Sequence, residues 1–254
     1  MNALTLQGVS MRFGGLAAVS DVSLTVPDQA LFGLIGPNGA GKTTLFNMIT
    51  GFYRPTGGDI RLFDNSVIGL KPYEVARSGV ARTFQNIRLS PSLSALECTQ
   101  AAFIKDLDYG YLGAGFDLPS CRRTEERVRG EALDILQIFN LADQCDEQST
   151  ALPYGAQRRL EIVRALAMKP RLLLLDEPAA GMNPSEKVEL ISLIRNIRDR
   201  FKITILMIEH DMKVVMGACE RIAALDYGVK IAEGTPDEIR SDKKVIEAYL
   251  GEEA

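Results

Sequence analysis

Two apolar rhythms divide the chain. Near its start, apolar and polar residues alternate: LTLQGVSMRF (4–13) and VSLTVP (22–27) change sides every residue around turn residues and predict strands. ALFGLIG (30–36) is a short buried run that ends in glycine. AGKTTLFNMITGF (40–52) predicts a helix stopped by Gly51, and RPTGGDIRLFD (54–64) predicts a turn followed by a strand. Further on, RLLLLDEP (171–178) and ITILMIEH (203–210) are continuous apolar runs of strand length. Such runs fit parallel strands buried on both faces. Between them PSEKVELISLIRNIRDRF (184–201) carries Leu190, Ile194, Ile197 and Phe201 at helix spacing. Strand, helix, strand of this kind predicts a right-handed βαβ unit.

The middle of the chain reads differently. Residues 86–156 contain no long buried-strand run. EERVRGEALDILQIFNL (125–141) puts Val128, Ala132, Ile135, Leu136 and Phe139 on one helical face. DYGYLGAGFDLPS (108–120) reads as a loop, or over DYGYLGAG as a disordered connector. The expectation is a mostly helical insert within an α/β core.

Composition narrows the partners. The 254 residues are 46% hydrophobic and 24% charged, as in ordinary globular proteins, and the net charge of −4 gives no basic field for nucleic acid. Cys98, Cys121, Cys145 and Cys219 form no CxxC pair and no metal-like spacing, so reduced thiols are expected. The opening MNALTLQGVSMRFGG lacks the basic start and apolar core of a signal peptide, and no apolar run approaches the ~20 residues that span a bilayer. A cytoplasmic chain is expected, with any membrane role exercised through a partner.

Candidate chemistry begins at GPNGAGKTT (36–44), which fits G-x-x-x-x-G-K-[ST] between a predicted strand and a predicted helix. Gly36, Gly39 and Gly41 let the loop curl, with Pro37, Asn38 and Ala40 between them, and turn backbone N–H groups toward phosphate oxygens. The helix N-terminus, at Thr43 and Thr44, adds its partial positive charge. Lys42 can reach the β- and γ-phosphates of ATP, and the Thr43 hydroxyl can ligate Mg²⁺. Asp176 closes a buried strand as a candidate Mg²⁺ partner, and Glu177 follows as a candidate general base for a water aimed at the γ-phosphate. The single histidine, His210, ends the other buried run.

In this order the motifs resemble the ATPase subunit of an ABC transporter over nearly the whole length. The resemblance implies a P-loop NTPase (RecA-like) α/β core, 1–85 and 157–254, with a small antiparallel β subdomain and an inserted helical subdomain, 86–156, ending in the family signature. It implies that Phe13 stacks on adenine, that Gln85 in ARTFQNIRL touches Mg²⁺ and links to the membrane subunit, and that His210 is the switch histidine sensing the γ-phosphate. LPYGAQRR (152–159) resembles the signature and AAGMNP (179–184) the D-loop. RTFQNIRL, DEPAAGMNP, IEHDMKVVM and the tail GTPDEIRSDKKVIEAYLGE are similar to the branched-chain amino acid importer subfamily. Its complexes are implied to hold two ATPase chains, two membrane permeases and an external solute-binding protein. The solute stays open among amino acids, amides and urea.

Two departures stand out. The common signature is L-S-G-G-Q; here Leu152 is followed by Pro153, Tyr154, Gly155 and Ala156, then Gln157. Pro153 has neither hydroxyl nor N–H but suits the first turn of a helix, leaving Gly155 and the helix N-terminus as anion ligands. Asn183 stands where the D-loop often has aspartate. Both put equal turnover at two identical sites in doubt and fit pairing with a different ATPase chain. Arg158 and Arg159 read as phosphate contacts or as a solvated helix face. Against the importer reading stand a soluble ABC-type ATPase acting on nucleic acid or ribosomes, a P-loop kinase and a non-hydrolysing regulatory module. The first usually carries two cassettes or a long coiled coil. The kinase leaves signature, D-loop and His210 unexplained, and Glu177 with His210 argues against the last.

Overall fold

A computed structural model of the protein describes residues 1–103 and 119–250. Most of the loop or connector expected at 108–120 lies outside the described residues. In chain order the elements are β1 (Asn2–Phe13), β2 (Leu16–Pro27), β3 (Leu31–Ile35), α1 (Lys42–Ile49), β4 (Gly57–Leu62), β5 (Asn65–Ser66), α2 (Pro72–Arg77) and β6 (Val80–Arg82). Then come α3 (Ala95–Ala101), α4 (Pro119–Ile138) and α5 (Tyr154–Ala167). The chain returns through β7 (Leu172–Asp176), α6 (Pro184–Phe201), β8 (Thr204–Ile208), α7 (Met212–Ala218), β9 (Arg221–Asp226), β10 (Val229–Gly234), α8 (Pro236–Ser241) and α9 (Lys243–Leu250). Two compact units result: residues 1–85 with 171–254, and residues 86–170.

In the first unit the alternating segments form an antiparallel sheet of order β2-β1-β4-β5. The continuous apolar runs enter a six-stranded sheet of order β10-β9-β3-β8-β7-β6, parallel except for the β10 edge. One face carries Phe32, Leu34, Leu172, Leu174, Leu206 and Ile208, which join Leu4, Leu6, Val22 and Leu24 of the first sheet and Leu45, Phe46 and Ile49 of α1 in one cluster. The opposite face is also covered. Leu31, Leu173, Ile205 and Met207 are fully buried, and a Cβ on Gly33 would lie 3.1 Å from both Cys219 Sγ and Val215 Cγ1. A side chain there would push α7 off the sheet. Burial also lifts the Cys219 thiol to about 12, so it packs as an apolar group.

The second unit is helical, as the 3.6-residue pattern predicts. Val128, Ala132, Ile135, Leu136 and Phe139 are all buried, and α3, α4 and α5 pack on one another. Ser94 and Glu97 close a capping box at the start of α3. One boundary differs from the sequence reading. Helix α5 buries Ala156, Leu160, Val163 and Leu166 and belongs to this unit. The division therefore falls at 170/171, not at 156/157.

Because β8 is central and Leu206 is fully buried, Leu206→Ala should destabilise the protein by about 2–5 kcal/mol. Chemical denaturation should show a lowered midpoint with an unchanged slope.

Candidate functional site

Residues 36–41 leave the C-terminal end of β3 and turn directly into α1. Gly36, Gly39 and Gly41 all have positive φ, at 146°, 79° and 97°. Their reasons differ. A Cβ on Gly36 would meet Leu225 O at 2.1 Å and one on Gly41 would meet Ala18 O at 2.6 Å, whereas Gly39 has open space and is required by φ alone. The turn at Gly228 ties the loop down: its N–H donates to Ala40 O, and its carbonyl accepts Ser20 N–H. Lys42 is 8% exposed, and its Nζ donates to Gly36 O at 2.6 Å and Pro37 O at 2.7 Å. Its ammonium thus lies within the loop's own curl. Asn38 and Thr43 are exposed, and Thr44 is half-buried.

The strand ends beside the loop carry the acidic groups. Asp176 closes β7, nearly buried, and its Oδ2 accepts from Arg82 Nη2 at 2.8 Å. Arg82 also donates from Nη1 to Asn47 Oδ1 and stacks over Phe46 and Phe84. This buried ion pair escaped the sequence reading, because nothing in ARTFQ says which residue the arginine meets. Glu177 has φ 48°, a left-handed conformation that costs a non-glycine residue about 1 kcal/mol or more. Its N–H is held by Ile208 O. Its Oε2 accepts from Gln85 Nε2 at 3.0 Å and lies 3.7 Å from His210 Nδ1, longer than a hydrogen bond. Gln85, Glu177 and His210, distant in sequence, therefore converge.

Glu209, beside His210, is fully buried. It accepts the N–H groups of Ala179, at 2.7 Å, His210 and Asp211, so it clips the turn after β7 to the turn after β8. Burial holds its carboxyl above the usual range, against those backbone donors and His210, which lower it. Lys187 pairs with Asp211, whose carboxyl it holds below the usual range.

The remaining expected residues have identifiable surroundings. Phe13, 43% exposed, meets Tyr53 edge-to-face at 5.3 Å. Asn183 caps α6: its Oδ1 accepts from Glu186 N–H and Ser185 Oγ. That oxygen is engaged at the helix N-terminus. Within the helical unit Pro153 is the N-cap of α5, one position earlier than the first turn expected. Tyr154 is exposed and Gly155 opens the helix, while Gln157 folds back to donate to the carbonyls of Thr150 and Leu152. Arg158 is not a solvated group: it is 5% exposed, donates to the Tyr154 hydroxyl and pairs with Glu161.

Residues 19–180 match the sequence pattern of the family described as ABC transporter. The chain belongs to the ABC transporter family. Residues 229–254 of the cassette match the pattern described as branched-chain amino acid ATP-binding cassette transporter. The high-affinity branched-chain amino acid transport ATP-binding protein BraF of Pseudomonas aeruginosa is 46% identical over 98% of each chain. Its counterpart LivG of Escherichia coli is 47% identical over 98% of each. A crystal structure of the ADP conformation of an ATP-binding cassette of an ABC transporter matches with a TM-score of 0.85 at 29% identity, covering 99% of each chain.

The cassette is thus an ATP-binding transport ATPase. The curl, the α1 N-terminus and the Lys42 ammonium offer donors, while Glu177 and Asp176 gather negative charge at the adjoining strand ends. Of the residues missed by the sequence reading, Arg82, Glu209 and Tyr53 are the main ones. Only Glu209 left a signal, as a glutamate closing a buried run.

Glu209 generates a pH prediction. Its folded-state carboxyl titrates above the unfolded value of 4.5, so the folded chain keeps a proton that the unfolded chain has lost. Its contribution to stability is therefore present at low pH and is lost as pH rises from about 4.5 through the folded value. The stability of wild type relative to Glu209→Gln should fall over that window and level off above it, in denaturation curves taken at stepped pH.

Proposed function

We propose that the cassette energises an importer of branched-chain amino acids as one of two ATPase chains clamped on membrane permeases, fed by an external solute-binding protein. The observation that carries the solute class is the match of residues 229–254 to the branched-chain pattern, supported by identity to BraF and LivG along the full length. Among the described residues no helix is long and apolar enough to cross a membrane. A peripheral place on the cytoplasmic face, reached through permeases, is supported by the likeness to the transport ATP-binding proteins BraF and LivG.

In this reading ATP lies with its phosphates on residues 36–44 and its adenine on Phe13, edged by Tyr53. Lys42 turns from its two loop carbonyls to the β- and γ-phosphates. Glu177 takes the proton of the attacking water while Gln85 steadies its carboxylate, and His210 donates to the γ-phosphate. The donor set suits Mg²⁺: the exposed Thr43 hydroxyl, Asp176 and Gln85 are hard oxygen ligands. No cluster of three His, Cys, Asp or Glu forms among the described residues; Mg²⁺ in such sites is commonly completed by substrate phosphates and water. When bound, Mg²⁺ neutralises charge on the β- and γ-phosphate oxygens. Pro153, Tyr154, Gly155 and Asn183 face the nucleotide of the opposing chain. The missing signature serine weakens that opposite site by roughly 1.5–3 kcal/mol, which supports pairing with a different ATPase chain.

Two variants test these roles. Glu177→Gln should keep ATP binding and lose about 10²–10⁴-fold in hydrolysis; near-normal turnover in an active complex would refute the general-base assignment. Gly155→Asp should leave ATP binding by the single chain intact. It should block ATP-driven dimer closure on the Glu177→Gln background, because like charges at ~4 Å repel by about 4 kcal/mol at an effective dielectric near 20. Closure that survives the aspartate removes residues 152–157 from the opposing site.

A further inference from the structure

The first amide of the phosphate loop is engaged by the far end of the chain. Gly36 N–H donates to the Tyr249 hydroxyl at 2.9 Å, across 213 positions of sequence. Tyr249 lies in α9, inside the segment 229–254 that matches the branched-chain pattern. The same glycine is pressed against β9, where a Cβ would meet Leu225 O at 2.1 Å. Two of the groups that fix Gly36 thus come from the C-terminal part of the chain, beside the Lys42 ammonium on its carbonyl. Beyond that point Asn38 and Gly39 are exposed, and a Cβ on Gly39 would meet nothing within 4 Å.

We infer that Tyr249 is a positioning residue of the phosphate loop, setting nucleotide affinity by holding the peptide from which the phosphate-facing amides are aimed. The inference rests on the reading that residues 36–44 bind the phosphates of ATP. A buried amide deprived of its acceptor either stays unsatisfied or turns to find another partner, and a loop whose first peptide turns misdirects the amides after it. The ring itself borders a cavity of about 530 Å³ with Met212, Met216, Ile239, Val245 and Ile246. The link gives the C-terminal segment, remote in sequence from every nucleotide motif, a direct hold on the loop.

Tyr249→Phe isolates the effect, since it removes one oxygen and keeps the ring. ATP and ADP affinities of the purified full chain are measured by titration calorimetry, with melting temperature and steady-state ATPase kinetics alongside. Loss of one neutral hydrogen bond corresponds to about 3–10-fold weaker binding. Both nucleotides should weaken by that factor, KM for ATP should rise in step, and kcat should stay within about twofold. A melting temperature near that of wild type, with weakened binding, supports positioning. Unchanged affinity in a variant whose wild type binds ATP overturns the proposal, as does a loss of stability with affinity intact. If wild type itself fails to bind ATP, the phosphate-loop reading fails first and takes the proposal with it.

Discussion

A five-residue strand buried on both faces has no place for a polar side chain except at its ends. Strands β3, β7 and β8 are of this kind: in each, all five residues are buried. Because the three run parallel, their C-terminal ends lie side by side. The glycine loop, Asp176 with Glu177, and Glu209 with His210 all follow those ends. The site is thus a consequence of the sheet. Apolar burial builds the strands, and the polar groups excluded from them collect along one edge.

That edge is held in conformations that burial alone would not select. Glu177 is left-handed at φ 48°, and the N–H to Ile208 O together with the Gln85 contact holds it there. Asp176 and Arg82 form an ion pair with side chains 4% and 7% exposed. A buried pair of this sort adds little net stability, yet losing one partner leaves an uncompensated charge, at a cost of roughly 3–5 kcal/mol. Glu209 commits its acceptors to three backbone amides of two adjacent turns. These contacts fix the geometry of the edge, the property on which a phosphoryl-transfer site would depend, since its catalysis is mostly positioning and electrostatics.

The helical unit follows a different logic. Its core is a stripe on α4 packed against α3 and α5, and its polar devices serve the helix ends. Gln157 holds the carbonyls before α5, and Arg158 is folded onto Tyr154 and Glu161. With Pro153 at its N-cap, α5 still presents a formed helix N-terminus. Asn183 makes a parallel exchange in the first unit, where its side chain caps α6. An asparagine performs that capping as well as an aspartate would.

The residues alone were enough for the elements. Period-two alternation, continuous apolar runs and 3.6-residue stripes each reflect a local burial geometry, so β1, β2, β7, β8, α4 and α6 were all legible. The curl at 36–41 was legible because three glycines in so short a stretch mark a loop of positive φ. The boundary at 170/171 was not, since α5 reads as a helix in either unit and only its partners α3 and α4 assign it. Nor were Arg82 beside Asp176, Arg158 beneath Tyr154 or Tyr249 at Gly36. Each joins a residue of ordinary local pattern to a partner that the chain's path brings near. Local pattern reports how much of a residue is buried; which group it is buried against is decided only when distant strands and helices pack.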